Sequence, residues 1–67
     1  MTGSEIISRI RKLGGRVLRQ KGSHIRVECA CGNNKATVPD HSEVAIGTRK
    51  AIERDLAPCP RFGAGWL

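Results

Sequence analysis

Along the first fifteen residues the apolar positions recur at a helical interval. Ile6, Ile10 and Leu13 share one face with Ile7 beside them, and Arg9 and Lys12 fall on another. Thr2-Gly3-Ser4-Glu5 reads as a capping box, in which Thr2 accepts from the third helical amide and Glu5 reaches back. Gly14-Gly15 is a stop signal, because glycine takes the left-handed conformation at a helix end at little cost. The pattern therefore predicts a first helix of about ten residues.

From residue 16 the helical period is gone. The stretch 16–20, RVLRQ, has strand character, and Lys21-Gly22-Ser23 is turn-like. From His24 the chain alternates. Ile25, Val27, Cys29 and Cys31 point to one side, and His24, Arg26 and Glu28 point to the other. Gly32-Asn33-Asn34 is a hairpin signal, and Lys35-Ala36-Thr37-Val38 reads as a third strand ended by Pro39. Residues 40–46 form a connector. Gly47-Thr48 opens a second helix that runs through Leu56, with Thr48, Ile52 and Leu56 on one face and Ala51 adjacent. Pro58 and Pro60 stop it. The tail, RFGAGWL, is glycine-rich but carries Phe62 and Trp66, so it is expected to pack back on the core. No repeat or low-complexity tract is present. The order α-β-β-β-α predicts an α+β fold, a three-stranded antiparallel sheet with two helices on one face. The opposite face is left free for a partner.

Length limits what such a chain can do. A chain of 67 residues is one domain, 1–67, and buries only roughly 60% of the surface its unfolded form exposes. Any active site must be a surface feature or a shallow groove. Twelve Lys and Arg against six Asp and Glu leave a net charge of +6, which suggests nucleic acid or an acidic protein as partner. The first fifteen residues carry scattered charges and no apolar stretch of the signal-peptide kind. No apolar run is long enough for a membrane span. The expectation is a soluble cytoplasmic protein. Three cysteines, an odd number, argue for reduced thiols rather than a disulfide framework.

The candidate chemistry centres on His24. With Ile25, Val27 and Cys29 turned to the core, His24 faces out, beside Arg26 on the same strand face and near Arg19 and Lys21 in sequence. Histidine is the side chain that ordinarily titrates near neutral pH, and next to fixed cations it suits RNA cleavage. It can take the proton of a ribose 2′-hydroxyl while the cations stabilise charge developing on the phosphate. An idle surface histidine would have the same spacing. Cys29, Cys31, His41 and Cys59 offer four potential zinc ligands. The C-x-C spacing is unlike the common zinc knuckle, however, and alternation turns Cys29 and Cys31 coreward as small hydrophobes, so no metal and no cofactor is expected. The glycines form no phosphate-binding loop. With Phe62 and Trp66 the only aromatics, RNA contact must rest on charge and shape rather than base stacking.

The stretch RQKGSHIRV, followed by VPDH and then GTRKAI in the same order and at similar spacing, resembles the HicA toxin family over roughly residues 4–56. The resemblance implies a double-stranded-RNA-binding-like fold and an mRNA interferase of a toxin–antitoxin pair, held inactive by a HicB-like antitoxin. It implies metal-free endoribonuclease activity with the histidine of Gly-Ser-His, here His24, as the general base. Lys21 is then the first electrostatic helper, and Arg19, Ser23, Arg26, Lys35 and His41 are candidate RNA contacts. Water or His41 is the candidate acid for the leaving oxygen; His41 on its connector reads equally as a loop or capping residue. Arg49 stands where the family has an apolar residue after Gly-Thr, and the tail 57–67 lies outside the shared core. The competing expectation is a non-catalytic RNA-binding module on the same fold.

Overall fold

The computed structural model describes residues 1–67 as α1 (Gly3–Lys12), β1 (Arg16–Lys21), β2 (His24–Glu28), β3 (Lys35–Pro39) and α2 (Ile46–Leu56). The strands form one antiparallel sheet in the order β1-β2-β3. The α+β architecture expected from the sequence is the one observed.

α1 starts where its capping residues dictate. Thr2 Oγ1 accepts from the Glu5 amide at 3.0 Å, and Glu5 Oε1 accepts from the Thr2 amide at 2.8 Å. Its apolar stripe buries Ile6 and Ile10 completely. The helix ends at Leu13, and Gly14 turns the chain with φ +91°, a conformation in which a side chain would be strained. The β1–β2 connection is a two-residue turn, Gly22-Ser23, with Gly22 at φ +60°.

The inward residues of the sheet, Ile25 and Val27 from β2 and Ala36 and Val38 from β3, meet Ile6 and Ile10 of α1 and Ile52 and Leu56 of α2 in one core. Both helices therefore lie on the same side of the sheet, and its other side is uncovered. The tail closes the core. Phe62 is buried, and Trp66 packs edge-on against it at 5.0 Å between ring centroids. Trp66 Nε1 donates to the Glu53 carbonyl at 2.9 Å, so the indole's one polar group is satisfied. No helix is long and apolar enough to cross a membrane.

Three local expectations need correction. α2 begins at Ile46, before Gly47-Thr48, after an Ala45 N-cap that supplies no side-chain hydrogen bond. Thr48 is exposed rather than aligned with Ile52 and Leu56, because positions eight apart drift around a helix of 3.6 residues per turn. Cys31 is exposed while Cys29 is buried. β2 ends at Glu28, so the strand alternation that would have turned Cys31 inward stops before reaching it.

Candidate functional site

The uncovered sheet face carries a groove of about 560 Å³ lined by Arg19, Lys21, His24, Arg26 and Thr37, with no apolar side chain among them. The β1–β2 hairpin builds most of it. Lys21 lies directly opposite His24 in the last pair before the turn, and Arg19 lies opposite Arg26. On one face of an antiparallel pair, opposite residues hold their Cβ atoms about 5 Å apart, so the lysine and the imidazole are neighbours.

Simple alternation along β1 would not put these residues together. Val17 pairs with Val27 and is half-buried toward the core. Counting by twos from Val17 would turn Arg19 and Lys21 inward with it. The ladder instead slips between Val17 and Arg19, leaving Leu18 as an extra residue. This bulge resets the phase, so Arg19 and Lys21 join His24 and Arg26 on the outer face. Leu18 shares that face, 44% exposed.

The groove's charge is uncompensated. The ion pairs of the side chains are Arg16–Glu28 and Arg54–Asp55, and neither involves Arg19, Lys21 or Arg26. Arg26 is half-buried, and its Nη1 donates to Thr37 Oγ1 at 3.1 Å, which fixes the guanidinium over the sheet. Three cations thus surround one exposed imidazole in an open depression. A phosphodiester would find charge neutralisation there, and a hydroxyl proton would find an acceptor.

The other candidate contacts are distributed more widely. Ser23 sits in the turn, where its carbonyl accepts from the Asp40 amide at 2.7 Å, and it does not line the groove. Lys35 joins Leu18, Arg19 and Arg26 around a second, smaller depression of about 350 Å³ on the same face. Its Nζ reaches the Gly32 carbonyl at 3.4 Å. His41 is exposed beyond β3, with its carbonyl accepting from the Gly3 amide at 2.9 Å, and it does not reach the groove. Thr37 was not singled out by sequence reasoning. The alternation of Lys35, Thr37 and Pro39 against buried Ala36 and Val38 carries the signal that would have found it.

The cysteines form a separate cluster. The sulfurs of Cys29, Cys31 and Cys59 lie within 4.8 Å of one another, and His41 is not part of the group. Cys29 Sγ is 3.1 Å from Cys31 Sγ and accepts from Asn34 Nδ2 at 3.5 Å. Burial opposes ionisation of Cys29, but hydrogen bonds from Cys31, Asn34 and Cys59 outweigh it and lower its pKa to about 6. Cys31 moves the other way. The Asn33 backbone favours its thiolate, yet its role as donor to Cys29 and Cys59 holds the proton on.

Residues 3–57 match the family model for the HicA toxin of bacterial toxin–antitoxin systems. No curated protein and no solved structure matches the chain. The match begins with α1 and runs through the end of α2, so it spans every element of the fold and all five residues of the basic groove. On that extent the chain belongs to the HicA toxin family, the toxins of bacterial toxin–antitoxin systems.

Proposed function

We infer that the basic groove is a metal-independent endoribonuclease site acting on mRNA. One observation carries the reading: an exposed His24 directly opposite Lys21, flanked by Arg19 and Arg26 that no carboxylate neutralises. A surface that only held phosphate would gain more from a lysine or arginine at position 24. His24 removes the proton from a ribose 2′-hydroxyl, and the 2′-oxygen attacks the adjacent phosphorus. Lys21 and Arg26 stabilise the charge that builds on the non-bridging oxygens. The 5′-oxygen leaves with a proton from solvent, which enters freely because the groove is open. The products are a 2′,3′-cyclic phosphate and a 5′-hydroxyl end. Positioned general-base help of this kind is worth about 10²–10⁴-fold in rate.

A toxin with an open site needs control from outside. A HicB-like antitoxin that covers the uncovered sheet face would block RNA and mask His24. An acidic surface on that partner would match the groove's charge.

The test is cleavage of RNA by purified protein. His24→Ala is expected to keep the fold, since the side chain is exposed and outside the core, and to lose cleavage. A substrate with a 2′-deoxy nucleotide at the scissile position is expected to resist the wild type. Full-rate cleavage by His24→Ala, or cleavage of the deoxy substrate, overturns the mechanism. RNA binding without cleavage by the wild type would make the chain a non-catalytic RNA-binding module.

A further inference from the structure

The thiols lie on the opposite side of the sheet from the groove and at its other end. Cys29 is five residues beyond His24 along the chain, roughly 17 Å at strand spacing, and its side chain points into the core. The RNA-cleaving chemistry leaves this cluster unused.

We propose that Cys29, Cys31 and Cys59 form a zinc site that clamps the tail to the β2–β3 loop. Two segments far apart in the chain converge on it. Cys29 follows β2 directly, Cys31 stands in the loop before β3, and Cys59 comes from the turn after α2. All three are free thiols, with no disulfide among them. Zinc holds thiolates at about 2.3 Å in tetrahedral geometry, which sets the sulfurs roughly 3.8 Å apart. The cluster is compact enough for that spacing, with one pair at 3.1 Å and every sulfur within 4.8 Å of the others. Rotation of the exposed Cys31 side chain is enough to open the short pair.

The surroundings suit an ion. Asn34 Nδ2 points at both loop sulfurs, 3.5 Å from Cys29 and 3.9 Å from Cys31, as a donor that orients metal thiolates does. The loop backbone is already closed around the cysteine. The Cys29 amide donates to the Asn34 carbonyl at 2.9 Å, and the Gly32 amide donates to the Cys29 carbonyl at 3.0 Å. Three thiolates and Zn²⁺ carry a net charge of −1, and the guanidinium of Arg16, ion-paired with Glu28 at 2.7 Å, also donates to the Ala30 carbonyl between the two loop cysteines at 3.5 Å. The three thiols release their protons to solvent on binding. The fourth tetrahedral position opens to solvent at Cys31, where an external oxygen or sulfur donor completes the shell.

The gain is mechanical. Residues 58–67 lie beyond the region matched to the family, and Cys59 is among them. A metal there fastens that added segment, and with it Phe62 and Trp66, to a thin core. The assignment does not rest on the ribonuclease reading and is tested without RNA.

Full-length chain is purified under reducing conditions, freed of any histidine tag, and its metal content measured by elemental analysis and native mass spectrometry. One zinc per chain is expected. Replacement by Co²⁺ should give a near-ultraviolet thiolate-to-cobalt charge-transfer band. Cys31→Ser, at an exposed position outside the core, should lower zinc affinity by more than about tenfold and weaken that band. A chelator should lower the thermal midpoint of the wild type and lower that of Cys31→Ser by less. A reduced, folded chain that takes up no zinc overturns the proposal. So does equal zinc affinity in Cys31→Ser, or purified chain that is lighter by two hydrogens because two of the thiols have joined.

Discussion

His24 and Lys21 meet in the last pair of the β1–β2 ladder, next to a two-residue turn that holds them there. The turn is pinned from the side by the Asp40 amide on the Ser23 carbonyl. Arg26 is fixed by Thr37, whereas Lys21 forms neither a hydrogen bond through its side chain nor an ion pair. That difference separates their roles. On the proposed mechanism both would meet the phosphate, and the ammonium of Lys21, not tied to the sheet by a hydrogen bond, would be the freer of the two to follow charge as it develops. Lys21→Ala should therefore lower the rate of the chemical step by about 10²-fold, the usual size for one lost charge-stabilising donor. RNA affinity should change much less. Single-turnover cleavage at saturating protein measures the first, and fluorescence anisotropy with a 2′-deoxy substrate measures the second. Equal losses in both would make Lys21 an ordinary phosphate contact.

At the scale of elements, β1 decides whether there is a site at all. Its bulge at Leu18 reverses the sheet phase between Val17, which serves the core, and Arg19 and Lys21, which serve the groove. Two deletions in this one strand should then behave oppositely. Removing Leu18 takes out the extra residue and leaves Val17 in and Lys21 out, so cleavage should survive. Removing Gln20 shifts Lys21 by one place, and a shift of one residue turns a strand side chain to the other face. Cleavage should fall with it, although Gln20 is not in the groove. The pair is checked by rate measurements on folded variants, with circular dichroism to verify the sheet. Equal activity in both would mean that the hairpin re-registers and that the bulge does not set the phase.

The whole molecule divides its labour between two faces. Helices, tail and thiols cover one side of the sheet, and the other is left bare and positive. The excess of basic residues, +6 over the chain, becomes a directed feature only through this division. RNA binding should accordingly weaken steeply with salt, with a log–log slope of about −0.7 for each phosphate contacted on a single strand. Three groove cations predict a slope near −2 on that basis. An antitoxin that docks on the same face should compete with RNA and show a comparable salt dependence in its association rate. Titrations at several salt concentrations, with and without the partner, measure both. A flat response for RNA would assign the charge to the protein partner alone.

Much of this was legible in the sequence, element by element. The capping box at Thr2 and Glu5, the stop at Gly14, the turn at Gly22-Ser23 and the alternation from His24 are local signals, each set by backbone geometry within a few residues. They determined the order α-β-β-β-α, the core positions of Ile6, Ile10, Ile25 and Val27, and the outward direction of His24 and Arg26. The tail's return was legible too, because Phe62 and Trp66 need burial. The start of α2 was not, since Gly47-Thr48 looks like an opening and Ala45 carries no capping group to mark the true one. Tertiary structure alone decided the rest. Pairing with β2 makes Leu18 the extra residue and so brings Arg19 and Lys21 to His24, because a bulge exists only relative to a partner strand. Packing of β3 against β2 brings Thr37 under Arg26 and leaves His41 outside the groove. Closure of the tail carries Cys59 across a separation of thirty residues to Cys29, a meeting that no spacing within the chain could announce, since it depends on where the β2–β3 loop and the turn after α2 end in space.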